Sequence, residues 1–524
     1  MRLMGGGSSG DKVPAKLAYF QEESLMLIDL KKKKAEPVEI TDSYMRSGGY
    51  YEGEDILSPD GTYLFYKENY DGDNYKLFRA KVSKPEAGEE IDTRVTSHKV
   101  LKDNTVLYVK KNKLYWFNGK TSLDFGKNVG FYKADEDAKH VVWSEHDDNA
   151  GSTYYYQDLS QKTDKVQLEK NVIEIRMSKD MTKFYVIKEN NKMYQVDNKG
   201  NSESIDKDIA EIKSFNSETG EMYFIKYEPR EVKYSEVVYD DTNMMSAGER
   251  ERLGNEIFEI PSNELYYCGG WGKEAQMISE NYGGRFASNG TYCLYSEYPS
   301  ANEMKVKWSD MDSHGWSYAV QTALDENSLL KLAVGATAVA EYDDINYRGS
   351  RYNKDSETLY IYSEDDENEE GVIYVTSLKG KGAGELAEYD DDAYDVSLLF
   401  ASAQGLYYLK DYENNSGDLY FNGDRIKSDV SWAANADKEN LIACASDYYE
   451  GTYELSLYNG KKDIPVAKDV SAAECASDGT VVLMADYDDD LGEGDLMYFD
   501  GKELRELDKE VTNFAIRRGS TLVR

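Results

Sequence analysis

Short apolar strands alternating with polar, turn-forming residues recur along most of the chain. The clearest copy lies within residues 55–82. Ser58-Pro59-Asp60-Gly61 leads into Thr62-Tyr63-Leu64-Phe65-Tyr66, an acidic loop follows, and Tyr75-Lys76-Leu77-Phe78 closes the unit. Comparable runs are Val106-Leu107-Tyr108-Val109, Val141-Val142-Trp143, Phe184-Tyr185-Val186-Ile187 and Met222-Tyr223-Phe224-Ile225. Later copies are Tyr292-Cys293-Leu294-Tyr295, Leu359-Tyr360-Ile361-Tyr362, Leu406-Tyr407-Tyr408-Leu409 and Val481-Val482-Leu483-Met484. Runs this short, rich in Tyr and β-branched residues and bounded by turn residues, suit strands buried on both faces. Asn118-Gly119, Asn422-Gly423, Asn459-Gly460 and Asp500-Gly501 supply the positive-φ residues that tight hairpins need.

The turn before each apolar strand anchors a repeat. The anchors are Asp60, Asp103, Asp137, Asp180, Glu218, Asn289, Asp355, Gln404, Asp437, Asp478 and Arg518. Most neighbours are 33 to 49 residues apart, close to the ~40–50 residues of a four-stranded propeller blade. The expected fold is therefore all-β, a β-propeller with about eleven four-stranded blade units. A generic β-sandwich does not predict such repetition. Two rings are favoured over one very large ring, because single rings commonly hold about 4–8 blades. Leu17-Ala18-Tyr19-Phe20 and Leu25-Met26-Leu27-Ile28 have no leading strand, and the Val511 to Ile516 region ends the chain on an incomplete unit. Together they would complete one blade and hide its edges.

Two intervals stretch to 71 and 66 residues and mark insertions. The expected organisation is a flexible leader over 1–14, N-terminal blades over 15–229, a partly helical insertion over 230–262, and C-terminal blades over 263–524. A second insertion covers 300–339. In the first insertion, Ser246 to Leu253 reads as a short charged helix with Ser246 as N-cap and Glu249 at its third position. In the second, the tail from Tyr318 to Ala340 fits either a helix or a pair of strands.

The Ser58-Pro59-Asp60-Gly61-Thr62-Tyr63-Leu64-Phe65 run resembles the SPDG repeat of TolB-like and WD40-like propellers, which also occurs in the propeller domains of prolyl oligopeptidases. Other copies are degenerate, such as Ala476-Ser477-Asp478-Gly479-Thr480. The Tyr-rich, acidic style also resembles propeller ectodomains of membrane-anchored proteins from Gram-positive bacteria. The resemblance covers most of residues 15–524. It implies protein or ligand binding on a propeller face and transfers no catalytic residue.

Charge narrows the function. With 99 acidic and 62 basic residues the formal charge is −37, a field that repels nucleic acid and anionic membranes. No apolar run is long enough to span a bilayer, and Met1 to Gly10 lacks the apolar run of a secretory signal. An extracellular or cell-surface setting, through an anchor missing upstream, is preferred to a cytoplasmic one. Cys268, Cys293, Cys444 and Cys475 form no CxxC pair, and buried free thiols are preferred to pairing of Cys268 with Cys293 or of Cys444 with Cys475.

Catalytic signatures are scarce. No G-x-S-x-G is present, and the four histidines, His98, His140, His146 and His314, form no motif. The chain reads as non-enzymatic. For metals, Asp486, Asp488 and Asp490 begin like a calcium loop. The glycine then falls one place late and Met497 occupies the position that needs Glu. A solvated hairpin is preferred there to Ca2+, and no other cofactor is implied. For ligands, Trp271 sits in a glycine-rich turn, and Trp308 and Trp316 flank Asp310, Asp312 and His314 in the second insertion. Aromatic rings on long loops make binding anchors. The expected function is a propeller scaffold that binds a protein or glycan through face loops. The alternatives are a propeller-type glycoside hydrolase or lyase using acidic residues, and a structural spacer of a cell-surface protein.

Overall fold

The computed structural model describes residues 15–44, 56–69, 71–147, 151–160, 164–227, 230–260, 263–299, 304–311, 316–365, 368–402, 404–436, 442–449, 451–488, 490–515 and 520–523. It is an all-β protein of many antiparallel sheets. The repeated turns reverse the chain by shared chemistry. Asp60 Oδ1 accepts from the Thr62 amide at 2.9 Å, and Ser58 Oγ accepts from the Thr62 and Tyr63 amides at 3.0 and 2.9 Å. Ser178, Asp180 and Thr182 repeat the arrangement, and Asp103/Thr105, Asn289/Thr291 and Asp478/Thr480 keep its aspartate or asparagine half. The side chain thus holds amides that the tight turn leaves unpaired. The anchors Asp437 and Arg518 and the leader lie outside the described residues.

A second repeat lies between the sheets. A non-glycine residue of positive φ is followed by a branched apolar residue at Arg94-Val95, Asn128-Val129, Asn171-Val172, Asp208-Ile209, Asp395-Val396, Asp429-Val430, Asp469-Val470 and Glu510-Val511. At Arg94, Asp429 and Asp469 the kink lies inside one long strand, which changes partner there; at Asn128, Asn171, Asp208 and Asp395 it lies between one strand and the next. Lys84–Val100 pairs through Val95 with Tyr75 on one side and with Lys110 on the other. Val430 joins Gly417 to Ser446, and Val470 joins Tyr453 to Ala485, in the same way. Val95, Val430 and Val470 are wholly buried. Ion pairs accompany several kinks: Lys110 with Asp92, Lys188 with Glu169 at 3.0 Å, and Lys226 with Asp206 at 2.8 Å. In each, the carboxylate stands two residues before the positive-φ position.

Contacts divide the chain into two units. The first combines residues 1–145, 158–162 and 392–524. It contains a four-stranded sheet, a six-stranded sheet running from Tyr63–Glu68 to Ser122–Lys127, and a large sheet running from Ser397–Ser402 to Leu504–Val511. The four-stranded sheet unites the ends of the chain. Lys16–Gln21, Ser24–Asp29 and Val38–Thr41 form a meander, and Asn513–Phe514 pairs with the first of these, Tyr19 opposite Phe514. Thr512 N donates to Phe20 O at 2.9 Å and Ala515 N to Ala18 O at 2.8 Å. Tyr19 Oη donates to Asp508 at 2.5 Å. The expectation that terminal fragments complete one sheet is met.

The second unit comprises residues 146–157 and 163–391. Its sheets include Val172–Met177 to Ser202–Asp206, Tyr347–Asn353 to Ala387–Asp390, and a seven-stranded sheet from Ile209–Phe215 to Thr337–Tyr342. The apolar runs pack on both faces: Phe184 to Ile187, Met222 to Phe224 and Tyr292 to Tyr295 are all buried. Within the seven-stranded sheet, Leu329–Val334 pairs with Tyr292–Glu297 and then with Thr337–Tyr342. The tail of the second insertion is thus a helix, Trp316–Glu326, followed by two sheet strands. All four cysteines are buried thiols, none of them in a disulfide.

Candidate functional site

Both insertions leave the seven-stranded sheet at equivalent places. One interrupts the hairpin formed by Glu221–Tyr227 and Asn263–Gly269, where Tyr227 opposes Asn263. The other interrupts the hairpin formed by Tyr292–Glu297 and Leu329–Val334, where Glu297 opposes Leu329. One further strand, Ala275–Ser288, separates the two hairpins. The two insertions nevertheless meet, through a short parallel strand pair and a common apolar core.

The first insertion contains strands Arg230–Lys233 and Ile257–Ile260, a helical turn Tyr234–Val237, strand Val238–Tyr239 and helix Ala247–Asn255. The expected capping box is present. Glu249 N donates to Ser246 Oγ at 3.2 Å and Ser246 N to the Glu249 carboxylate at 2.7 Å. The second contributes strand Val306–Lys307, a 3-10 turn Trp308–Asp310 and helix Trp316–Glu326. A parallel pair joins them, with Val238 opposite Val306 and Tyr239 opposite Lys307. Ser309 donates to the Asp241 carboxylate through N at 3.0 Å and Oγ at 2.7 Å. These bonds hold the Asp241 carboxyl below its ordinary range. One apolar core serves both: Val232, Tyr234, Val237, Met245 and Leu253 pack with Met304, Val306, Met311, Val320 and Leu324.

Outside that core the module exposes large apolar side chains. Tyr239 is 43% exposed, Met244 84%, Ile257 52% and Tyr318 59%. Pleat alternation explains Ile257, since the adjacent Phe258 turns inward onto Tyr234, with ring centroids 4.7 Å apart.

The sequence-selected residues fall in different places. Trp308 is half-buried against the module core, Asp310 ends the 3-10 turn and Trp316 opens the helix. Asp312 and His314 lie outside the described residues. Trp271 sits apart from them, stacked on Tyr185 at 4.4 Å and edge-on to Phe215 at 5.9 Å. Gly220 makes room for it: a Cβ there would lie 2.5 Å from the indole. Asp486 and Asp490 are exposed, and the Asp488 carboxylate accepts from the Asp490 and Leu491 amides at 2.9 and 3.1 Å, closing its own hairpin. Among the described residues no group of three or more His, Cys, Asp or Glu side chains is placed to hold a metal. His98 Nδ1 lies 2.8 Å from Tyr75 Oη, His140 Nδ1 lies 3.1 Å from Asp135, and His146 is exposed.

One carboxyl among the described residues is held above its ordinary range. Burial raises the Glu174 carboxyl, Arg176 at 2.5 Å opposes the shift, and the charge of Glu211 adds to it. Among the described residues no helix is long and apolar enough to cross a membrane.

No protein-family model matches the chain, and no curated protein matches it. Among solved structures it is similar to a eukaryotic initiation factor at 6% identity, over 96% of this chain and 98% of that one, with a TM-score of 0.41. It is similar to the tricorn protease at 12% identity, over 96% of this chain and 43% of that one, with a TM-score of 0.27. An oligogalacturonate lyase in complex with manganese shares 9% identity, over 72% of this chain and 99% of that one, with a TM-score of 0.27.

Proposed function

We propose that the chain is a β-propeller of the SPDG-repeat kind, a scaffold that binds a protein partner through the composite insertion module. Ten units of four strands and one of three, beginning at Tyr63–Glu68, support the propeller reading once each long strand shared by two units is counted as the last strand of one and the first of the next. The unit completed by Asn513–Phe514 is one of them.

The observation that carries the binding role is the module itself. Two segments remote in sequence share one core yet leave Tyr239, Met244, Ile257 and Tyr318 in solvent. A fold that needed the module only for its own stability would have little use for such exposure. Aliphatic Met244 and Ile257 favour a protein over a glycan, which calls for ring platforms. The formal charge of −37 favours a basic partner.

A photo-crosslinking amino acid at position 239, 244 or 318 tests this in the native surroundings. The expected result is one discrete protein adduct shared by the three positions and missing from an exposed control position, Lys461. Met244→Asp with Tyr318→Asp is expected to lower adduct yield at least about tenfold at unchanged Tm, as central contacts of an interface do. Equal adduct formation by the double variant, or none at any position, refutes the reading.

A second reading rests on Glu174, whose raised pKa beside Glu211 suits a general acid of a hydrolase or lyase. Turnover of any glycan that Glu174→Gln abolishes supports it. Turnover unaffected by that change removes it.

A further inference from the structure

The first unit holds a cleft of about 970 Å³ between the N-terminal meander and the hairpin that follows it. Its lining is unlike the rest of this acidic chain. Lys16, Lys32, Lys34 and Lys81 stand around it against only two carboxylates, Asp29 and Glu36, in a molecule of formal charge −37. Lys16 is bound to Asp29 at 3.2 Å, so one of the two carboxylates is already neutralised. Lys34 and Lys81 are exposed and make no ion pair among the described residues. The floor is apolar, built from Leu27, Pro37, Val38 and Val82, and Val38 is 42% exposed.

We propose that this cleft binds an acidic peptide segment with interspersed apolar side chains. At physiological salt charges are felt over about 8 Å, so the local lysines outweigh the distant acidic surface for a ligand seated in the cleft. The cations are lysines spread along the lining, point charges on flexible stems. A compact phosphate is better gripped by converging arginine forks or backbone amides. An apolar floor gives such an ion nothing, whereas it accepts the side chains of a peptide. The volume suits a segment rather than a single residue. Lysines beside the exposed edge strand Val38–Thr41 also discourage strand pairing, but a guard role alone makes no use of the apolar floor.

The test is fluorescence anisotropy of the full chain with a dye-labelled octapeptide of alternating glutamate and leucine. Saturable binding is expected. Lys34→Glu with Lys81→Glu is expected to weaken it at least about tenfold, by reversing two charges within screening distance. Val38→Asp is expected to weaken it comparably, and Lys207→Glu with Lys461→Glu to leave it unchanged. All of these positions are exposed, so an unchanged Tm shows that each variant folds. Absence of saturable binding overturns the proposal. So does equal loss in the control variant, or binding of inorganic tripolyphosphate as tight as that of the peptide. A failure here leaves the insertion module untouched, because the two tests share no probe and, apart from the control position Lys461, no residue.

Discussion

Joining the two ends of the chain in one sheet makes the stability of the first strand depend on residues about 490 positions away. The sharpest perturbation is Phe514→Ala combined with Ala515→Pro. Phe514 is 2% exposed and packs with Leu17, Tyr19, Val482 and Leu496; deleting such a ring costs about 3–5 kcal/mol. Proline at 515 removes the amide that bonds Ala18 O at 2.8 Å. Ala18 is wholly buried, and a buried acceptor left unpaired costs about 1–3 kcal/mol. The pair are neighbours and need not add, but about 4–8 kcal/mol is commensurate with the whole stability of a domain, roughly 5–15 kcal/mol. The assay is hydrogen exchange read by peptide mass. The account expects amides of Lys16–Gln21 to lose most of their protection. Strands of the second unit, such as Lys183–Lys188, should keep theirs. Retained protection at Lys16–Gln21, with a denaturation midpoint shifted by less than about 1 kcal/mol, would refute the closure argument.

Other outcomes follow from the same structure. Gly220 has a φ of 78° and a Cβ there would strike the Trp271 indole; Gly220→Ala should cost about 1–3 kcal/mol and red-shift tryptophan emission as the Tyr185 stack opens, and unchanged emission and Tm would contradict this. At Asp60, burial acts to raise the carboxyl, but bonds from Asn104, Thr62 and Ser58 outweigh it and hold the pKa at about 2. A depressed folded pKa gives stability that is present above the ordinary value of 3.8 and lost as pH falls toward 2. Discounted for exposure, the contribution is on the order of 1 kcal/mol. Asp60→Asn should therefore lower Tm at pH 7 and make less difference near pH 2; an equal loss at both pH values would show that the charge is irrelevant.

Much of the architecture was legible because its signals are local. Asp60 and Asp180 advertise their turns by side chains that bond amides two residues on, and Ser246 with Glu249 advertises a helix start. Runs such as Phe184 to Ile187 are apolar because both of their faces are covered. The kinks at Asp429-Val430 and Asp469-Val470 escaped notice for the opposite reason. Non-glycine residues adopt positive φ there, and an Asp-Val pair inside a strand looks like uninterrupted strand. The ion pairs at the kinks, Lys188 with Glu169 among them, share a fixed offset but drown in a composition that is rich in charge.

The site was legible only in part. Both insertions could be found from spacing, and the second supplied Trp308 and Trp316 as candidates. Their fusion into one module rests on contacts such as Val238 with Val306 and Asp241 with Ser309, which join segments about 68 residues apart. One signal was available: both long intervals interrupt the same hairpin of consecutive repeats. Tryptophans were chosen for ring size, yet Trp271 and Trp308 pack inward, and the exposed surface is made by Tyr239, Met244, Ile257 and Tyr318. Exposure is a property of packing that residue type does not reveal.

On the propeller proposal, the kinked strands pass the chain from blade to blade around an axis. An electron cryomicroscopy map of the full chain, sharp enough to trace strands, tests it most directly. Eleven twisted sheets of three or four strands are expected, with Val95, Val430 and Val470 on strands nearest an axis, and Lys16–Gln21 sharing one sheet with Asn513–Phe514. Sheets stacked face to face in two layers, with Lys16–Gln21 and Asn513–Phe514 far apart, would contradict it.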